Sequence, residues 1–121
     1  PMACAVALKN IEILETEQLI EKSAAEIVPL FCDHVEALGE HPLVGDARAK
    51  GLLAGIQLVK DKDSRELWDE HDGVAGWCSA RARELGLAFR DIETTMALMP
   101  PLVITRNQVE DMFAIVRQSL D

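Results

Sequence analysis

Arg90 closes a short apolar run, Leu87-Ala-Phe, and is followed by Asp91-Ile-Glu-Thr94, a second run at Thr95–Leu98, and the pair Pro100-Pro101. An arginine in apolar surroundings keeps its charge, so it needs a partner. A carboxylate suits it best, because the planar guanidinium fork can hold both oxygens through parallel hydrogen bonds. That carboxylate could belong to Asp91 or Glu93, which would make Arg90 a structural residue, or to a ligand. Arg48, beside Asp46 and near Lys50, poses the same choice, and its pattern reads as a solvated strand face. Other groups offer less. His71 lies among Asp69, Glu70 and Asp72 without a second histidine at ligand spacing, which reads as a solvated acidic loop rather than a metal site. His34 and His41 have no visible catalytic partner. No glycine-rich phosphate loop follows a strand, and none of Ser23, Ser64, Ser79 and Ser119 sits in a nucleophile elbow. By residue types alone the chain holds no complete catalytic constellation.

The elements that must position Arg90 fit one domain, since 121 residues can bury a core without disulfides or metal. The net charge of -9 argues against nucleic acid and against an anionic membrane surface as partners. The three cysteines, Cys4, Cys32 and Cys78, are widely spaced and read as reduced thiols of a cytoplasmic protein. No apolar run is long enough to cross a bilayer, and no signal peptide is visible. Pro1 precedes Met2 and the helical pattern begins at once without a cap, which raises the expectation of a piece of a larger protein.

Periodicity predicts a helix over Met2–Glu15, on which Val6, Ile11 and Leu14 share a face, and a second from about Glu17 to Leu38. Pro29 should kink or break the second, and Gly39 should end it. Leu43–Lys50 alternates as a half-exposed strand, and Leu52–Val59, apolar on both faces, reads as a central one. Lys60–Ser64 should be a loop and Arg65–Asp72 irregular. Gly73–Leu85 is helical. Leu87–Phe89 and Thr95–Leu98 should be short strands joined by Asp91–Thr94. A capping box, Thr105 with Gln108, should open a final helix whose apolar face carries Val109, Met112, Phe113, Val116 and Leu120. The fold class is therefore α+β: a short, mainly antiparallel sheet covered on one face by helices. Residues 1–38 read as long helices linking to a further, larger domain, and residues 39–121 as a small α+β C-terminal domain.

Three segments in this order resemble class III pyridoxal-phosphate-dependent aminotransferases, in the ω-aminotransferase branch: Pro1–Leu8, Val44–Val59 and Met99–Thr105. The resemblance implies the small C-terminal domain of a fold type I enzyme that works as a homodimer or higher homo-oligomer. It implies transfer of an amino group from an ω-amine or ω-amino acid to a 2-oxo acid such as pyruvate. Pyridoxal 5'-phosphate would be the cofactor of the parent enzyme, with none expected in this chain, because the family's Schiff-base lysine and phosphate-binding threonine fall before Pro1. None of Lys9, Lys22, Lys50, Lys60 or Lys62 has a matching context, so no catalytic, cofactor-binding or metal-binding residue is assigned, and the chain alone is expected to be inactive. Arg90 occupies the position of the family's mobile arginine, which takes the substrate carboxylate and swings aside for a bulky apolar group. Glu93 and Thr94 stand where the family usually has a glycine–aspartate turn, and Met99 replaces the common serine. The alternative is a non-catalytic α+β binding or interaction module.

Overall fold

Apolar residues at alternate strand positions and at helical spacing converge on one side of a single antiparallel sheet. The computed structural model describes residues 1–121, the side chain of Glu70 excepted. Its helices are α1 (Met2–Thr16), α2 (Leu19–Lys22), α3 (Val28–Leu38), α4 (Val74–Glu84) and α5 (Arg106–Leu120), with a π turn at Ser23–Ile27. Its strands are β1 (Val44–Lys50), β2 (Leu53–Asp61), β3 (Glu66–Leu67), β4 (Arg90–Ile92) and β5 (Thr95–Leu98). Strand order is β1-β2-β5-β4, every pair antiparallel, with β3 on the far end of β2.

Ala54, Ile56 and Leu58 of β2 point to the same face as Met96 and Leu98 of β5, and all are buried. Phe31, Val35 and Leu38 of α3 and Val109, Phe113 and Val116 of α5 close over them. Each such side chain contributes roughly 1.5–3 kcal/mol by leaving water. Among the described residues no helix packs on the opposite face of the sheet. By contrast α1 buries no residue, and Val6 and Ile11 are 64% and 51% exposed.

The final helix begins where the capping box places it. Thr105 Oγ1 accepts the Gln108 N–H at 3.3 Å, and Gln108 Oε1 accepts the Thr105 N–H at 2.9 Å. Thr105→Ala should cost about 1 kcal/mol, read as a lowered urea midpoint with an unchanged m-value.

The expected second helix runs from Leu19 to Leu38, and the disturbance expected at Pro29 takes the form of the π turn. Gln18 takes φ 52°, which separates α1 from α2, and the π turn precedes Pro29, which sits in the first turn of α3. There the missing proline N–H matters least, and the widened turn makes room for its ring. Gly39 does not end α3 by a left-handed cap: its φ is -58°. A Cβ at Gly39 would stand 2.9 Å from the Glu36 carbonyl oxygen, so close approach is what selects glycine. Between Lys60 and Asp72 there is more order than expected. β2 runs on to Asp61, β3 pairs with it, and a 3-10 turn spans Glu70–Asp72. Asp61 accepts hydrogen bonds from the Ser64 hydroxyl at 2.6 Å and the Ser64 N–H at 2.7 Å, which hold its carboxyl below the usual range.

The strand before the last hairpin is β4, not Leu87–Phe89. Register is set by a two-residue turn, Glu93-Thr94, which pairs Ile92 with Thr95 and Arg90 with Ala97. Phe89 lies just outside the ladder, largely buried, with its carbonyl accepting from the Ser79 hydroxyl at 3.5 Å. Glu93 takes φ 52°, and Thr94, whose φ is not positive, gives its carbonyl to the Leu58 N–H at 2.8 Å. Positive φ at the first of two loop residues is a place that glycine fills without strain. Glu93→Gly should therefore stabilise the chain by about 0.5–1 kcal/mol, the relief of left-handed strain less the added freedom of the unfolded chain. A melting temperature unchanged or lowered by this substitution would show that the turn stores no strain.

Candidate functional site

Successive residues of a strand alternate between faces, so β4 sends its neighbours in opposite directions. Asp91 pairs with the buried Met96 and therefore lies on the helix side. Its Oδ2 stands 3.6 Å from the place a Cβ would take on Gly76, in the first turn of α4. Arg90 pairs with Ala97 and lies on the uncovered side, exposed. Among the described residues Arg90 makes no ion pair and no side-chain hydrogen bond. Neither nearby acid pairs with it: strand pleating points Asp91 to the other face, and Glu93 stands in the turn. Beside Arg90 is an open cleft of about 350 Å³, with Phe89, Ala97 and Met99 as apolar wall and the charged residues Arg83 and Asp91 also lining it. An unpaired guanidinium next to apolar surface can take a carboxylate in a bidentate grip and disfavours an alkyl group.

Arg48 lies on the same uncovered face, with its Nε held by Asp46 Oδ2 at 2.6 Å. Residue spacing within one strand could not have related it to Arg90, because the relation runs through the register of four strands.

The histidines and Cys78 occupy structural places. His34 stacks on Phe113 with centroids 4.9 Å apart. His41 Nδ1 accepts the Leu43 N–H at 3.2 Å, and its Nε2 lies 3.6 Å from Asp121 Oδ1. His71 belongs to the 3-10 turn, and no group of three possible metal ligands forms among the described residues. Burial pushes the Cys78 thiol up, which makes it a poor nucleophile. Among the described residues no helix is long and apolar enough to cross a membrane.

A lysine that forms a Schiff base needs an amine freed of its proton by desolvation or neighbouring charge. Lys9 pairs with Glu12 at 2.7 Å, and Lys60 lies 3.5 Å from Asp72 and over the Trp68 ring. Lys62 donates to the carbonyls of Gly39 and His41, while Lys22 and Lys50 are exposed. These residues do not fit the anchoring of pyridoxal phosphate.

Residues 1–120 match the family model described as aminotransferase class-III. The putrescine–pyruvate aminotransferase of Pseudomonas aeruginosa is 41% identical over 121 residues, covering 100% of this chain and 26% of that protein. The taurine–pyruvate aminotransferase of Bilophila wadsworthia is 34% identical over 117 residues, covering 91% of this chain and 25% of its own. The crystal structure of the ω-transaminase of Pseudomonas jessenii in complex with PMP superposes at a TM-score of 0.92 with 33% identity, over 100% of this chain and 26% of that one. The chain thus spans about a quarter of the length of the curated relatives it matches. With almost every residue inside the family match and the α+β fold shared with solved transaminases, this chain belongs to the class III, pyridoxal-phosphate-dependent aminotransferases.

Proposed function

We propose that this chain works as the small-domain part of an aminotransferase that moves an amino group from an ω-amine or ω-amino acid to a 2-oxo acid such as pyruvate. The observation that carries the reading is Arg90: charged, exposed, unpaired among the described residues and bordered by apolar wall. Its part is to hold the carboxylate of the oxo acid, and of the amino acid formed from it, and to turn away from a neutral donor. Ala97 and Met99 beside it present surface that a nonpolar substituent can touch while water is displaced. The amino-group chemistry belongs to pyridoxal phosphate, held by residues outside this chain, so the 121 residues alone should neither bind it nor transaminate.

The pyruvate-dependent relatives support the acceptor class. The exposed apolar side of α1 supports a link to a larger domain through residues 1–38, with residues 39–121 as the small domain and α3 shared with its core. A homodimer in the cytoplasm is the assembly and place we assign, the latter on the three free cysteines. The test is Arg90→Ala in the full-length enzyme, with the two half-reactions measured separately. Equal losses with a carboxylate substrate and a neutral amine would reduce Arg90 to a structural residue.

A further inference from the structure

The cleft beside Arg90 shares a wall with a second cavity. That cavity, of about 390 Å³, lies between the end of β5, the first turns of α5 and the segment Gly86–Phe89. Ala88, Phe89 and Met99 line both spaces, so they form the partition between them. The far side is bounded by Leu87, Pro100, Pro101, Ile104 and Met112. Among the described residues no charged side chain lines this cavity, and its one polar side chain, Gln108, is engaged in the capping box. The Arg90 cleft, by contrast, carries Arg83, Arg90 and Asp91. A charged compartment thus lies against one that suits hydrocarbon.

The partition has one movable part. Phe89 is 8% exposed, and its carbonyl accepts from the buried Ser79 hydroxyl of α4. The segment before it is tied to the end of α4, where the Ala82 carbonyl accepts the Leu87 N–H at 2.9 Å. Ala88 has no side-chain rotamer to change. Beyond Met99, the rings of Pro100 and Pro101 lock φ and stiffen the backbone. Met99 itself is 59% exposed, and its unbranched thioether changes rotamer at little cost.

We propose that Met99 is a specificity-determining residue: its side chain swings to open the Arg90 cleft into the apolar cavity, which then receives the hydrocarbon chain of a monoamine donor. This rests on the reading of Arg90 as the residue that faces substrate. It adds where the nonpolar part of the donor goes once the guanidinium has turned away, and it sets a length rule. Short amines end at Met99 and gain nothing from the cavity. Longer ones pass it and leave water one methylene at a time.

The experiment measures kcat/KM of the full-length enzyme for unbranched monoamines from propylamine to octylamine, in the half-reaction that consumes no oxo acid. The same enzyme is titrated calorimetrically with the matching unreactive n-alcohols. In the wild type each methylene beyond Met99 should raise kcat/KM roughly fourfold, the worth of one buried CH₂, and n-octanol should bind about tenfold or more tighter than n-propanol. Met99→Ile keeps the bulk but stiffens the wall, and should bring the octylamine-to-propylamine ratio to within about twofold. Met99→Ala removes the wall, so the rise should persist and begin at a shorter chain. Ile104→Phe fills the cavity from a side that does not line the Arg90 cleft, and should cut the same ratio. Both amines meet the same folded fraction, so the ratio does not register lost stability. A wild-type ratio near one, or a ratio that survives either Met99→Ile or Ile104→Phe, overturns the proposal. Arg90→Ala separates the two levels. If it leaves carboxylate substrates unaffected, the reading of Arg90 itself fails. If it weakens them while Met99→Ile leaves the amine ratio intact, only the cavity is lost.

Discussion

Arg90→Ala in the full-length enzyme should weaken use of carboxylate-bearing substrates by about 1.5–3 kcal/mol in kcat/KM, the usual worth of a hydrogen-bonded charge pair. Neutral monoamines, followed in the half-reaction that consumes no oxo acid, should change far less. The split follows from the surroundings of the side chain. Arg90 is exposed on a sheet face with no helix over it and has no ion pair among the described residues, so its removal breaks no internal contact of that kind. A substitution there should leave the melting temperature nearly unchanged. Binding lost without stability lost marks a residue whose partner comes from outside the chain. Arg90→Lys should recover only part of the loss, because a point charge cannot reproduce the two parallel bonds. A melting temperature lowered by several degrees, with both half-reactions depressed together, would place the partner of Arg90 inside the protein.

Features decided within a few residues were legible before the structure. The Thr105–Gln108 capping box needs only four consecutive residues, and the apolar stripe of α5 needs only the helical repeat. The central position of β2 followed from Ile56 and Leu58 among residues apolar on both faces. Features decided by register were not. The shift of the strand from Leu87–Phe89 to Arg90–Ile92 arises because the Glu93-Thr94 turn and the ladder to β5 choose which residues pair. The same alternation turns Asp91 toward α4 and Arg90 away, so whether these neighbours neutralise each other depends on a pairing that adjacency does not encode. Arg48 and Arg90 are 42 positions apart in the chain and share a row only through two intervening strands. The π turn was hidden for a related reason: Pro29 announces a local disturbance without saying which side of it the helix will widen.

Phe113→Ala should cost about 3–5 kcal/mol, a large share of the stability usual for a single domain. Phe113 is 0% exposed, meets Phe31 edge-on at 5.4 Å and stacks against His34 at 4.9 Å, so it joins α5 to α3 over the buried face of the sheet. Truncation removes ring contacts on both sides and leaves a void that two helices anchored to the same strands cannot both move to fill. Urea unfolding of the 121-residue chain should show the loss as a lowered midpoint. A change below about 1.5 kcal/mol, the range of well-tolerated core swaps, would mean that the helices repack freely and that the aromatic cluster does not fix their spacing. In the full-length enzyme this substitution is also the control that gives the arginine result its meaning. Phe113 lies across the core from the uncovered face, so its loss should reduce carboxylate and neutral-amine turnover in the same proportion, through the folded fraction alone. Arg90→Ala should change the ratio between the two substrates at a constant folded fraction. A ratio that moves equally in both variants would show that carboxylate selection depends on the integrity of the whole domain rather than on the guanidinium of Arg90.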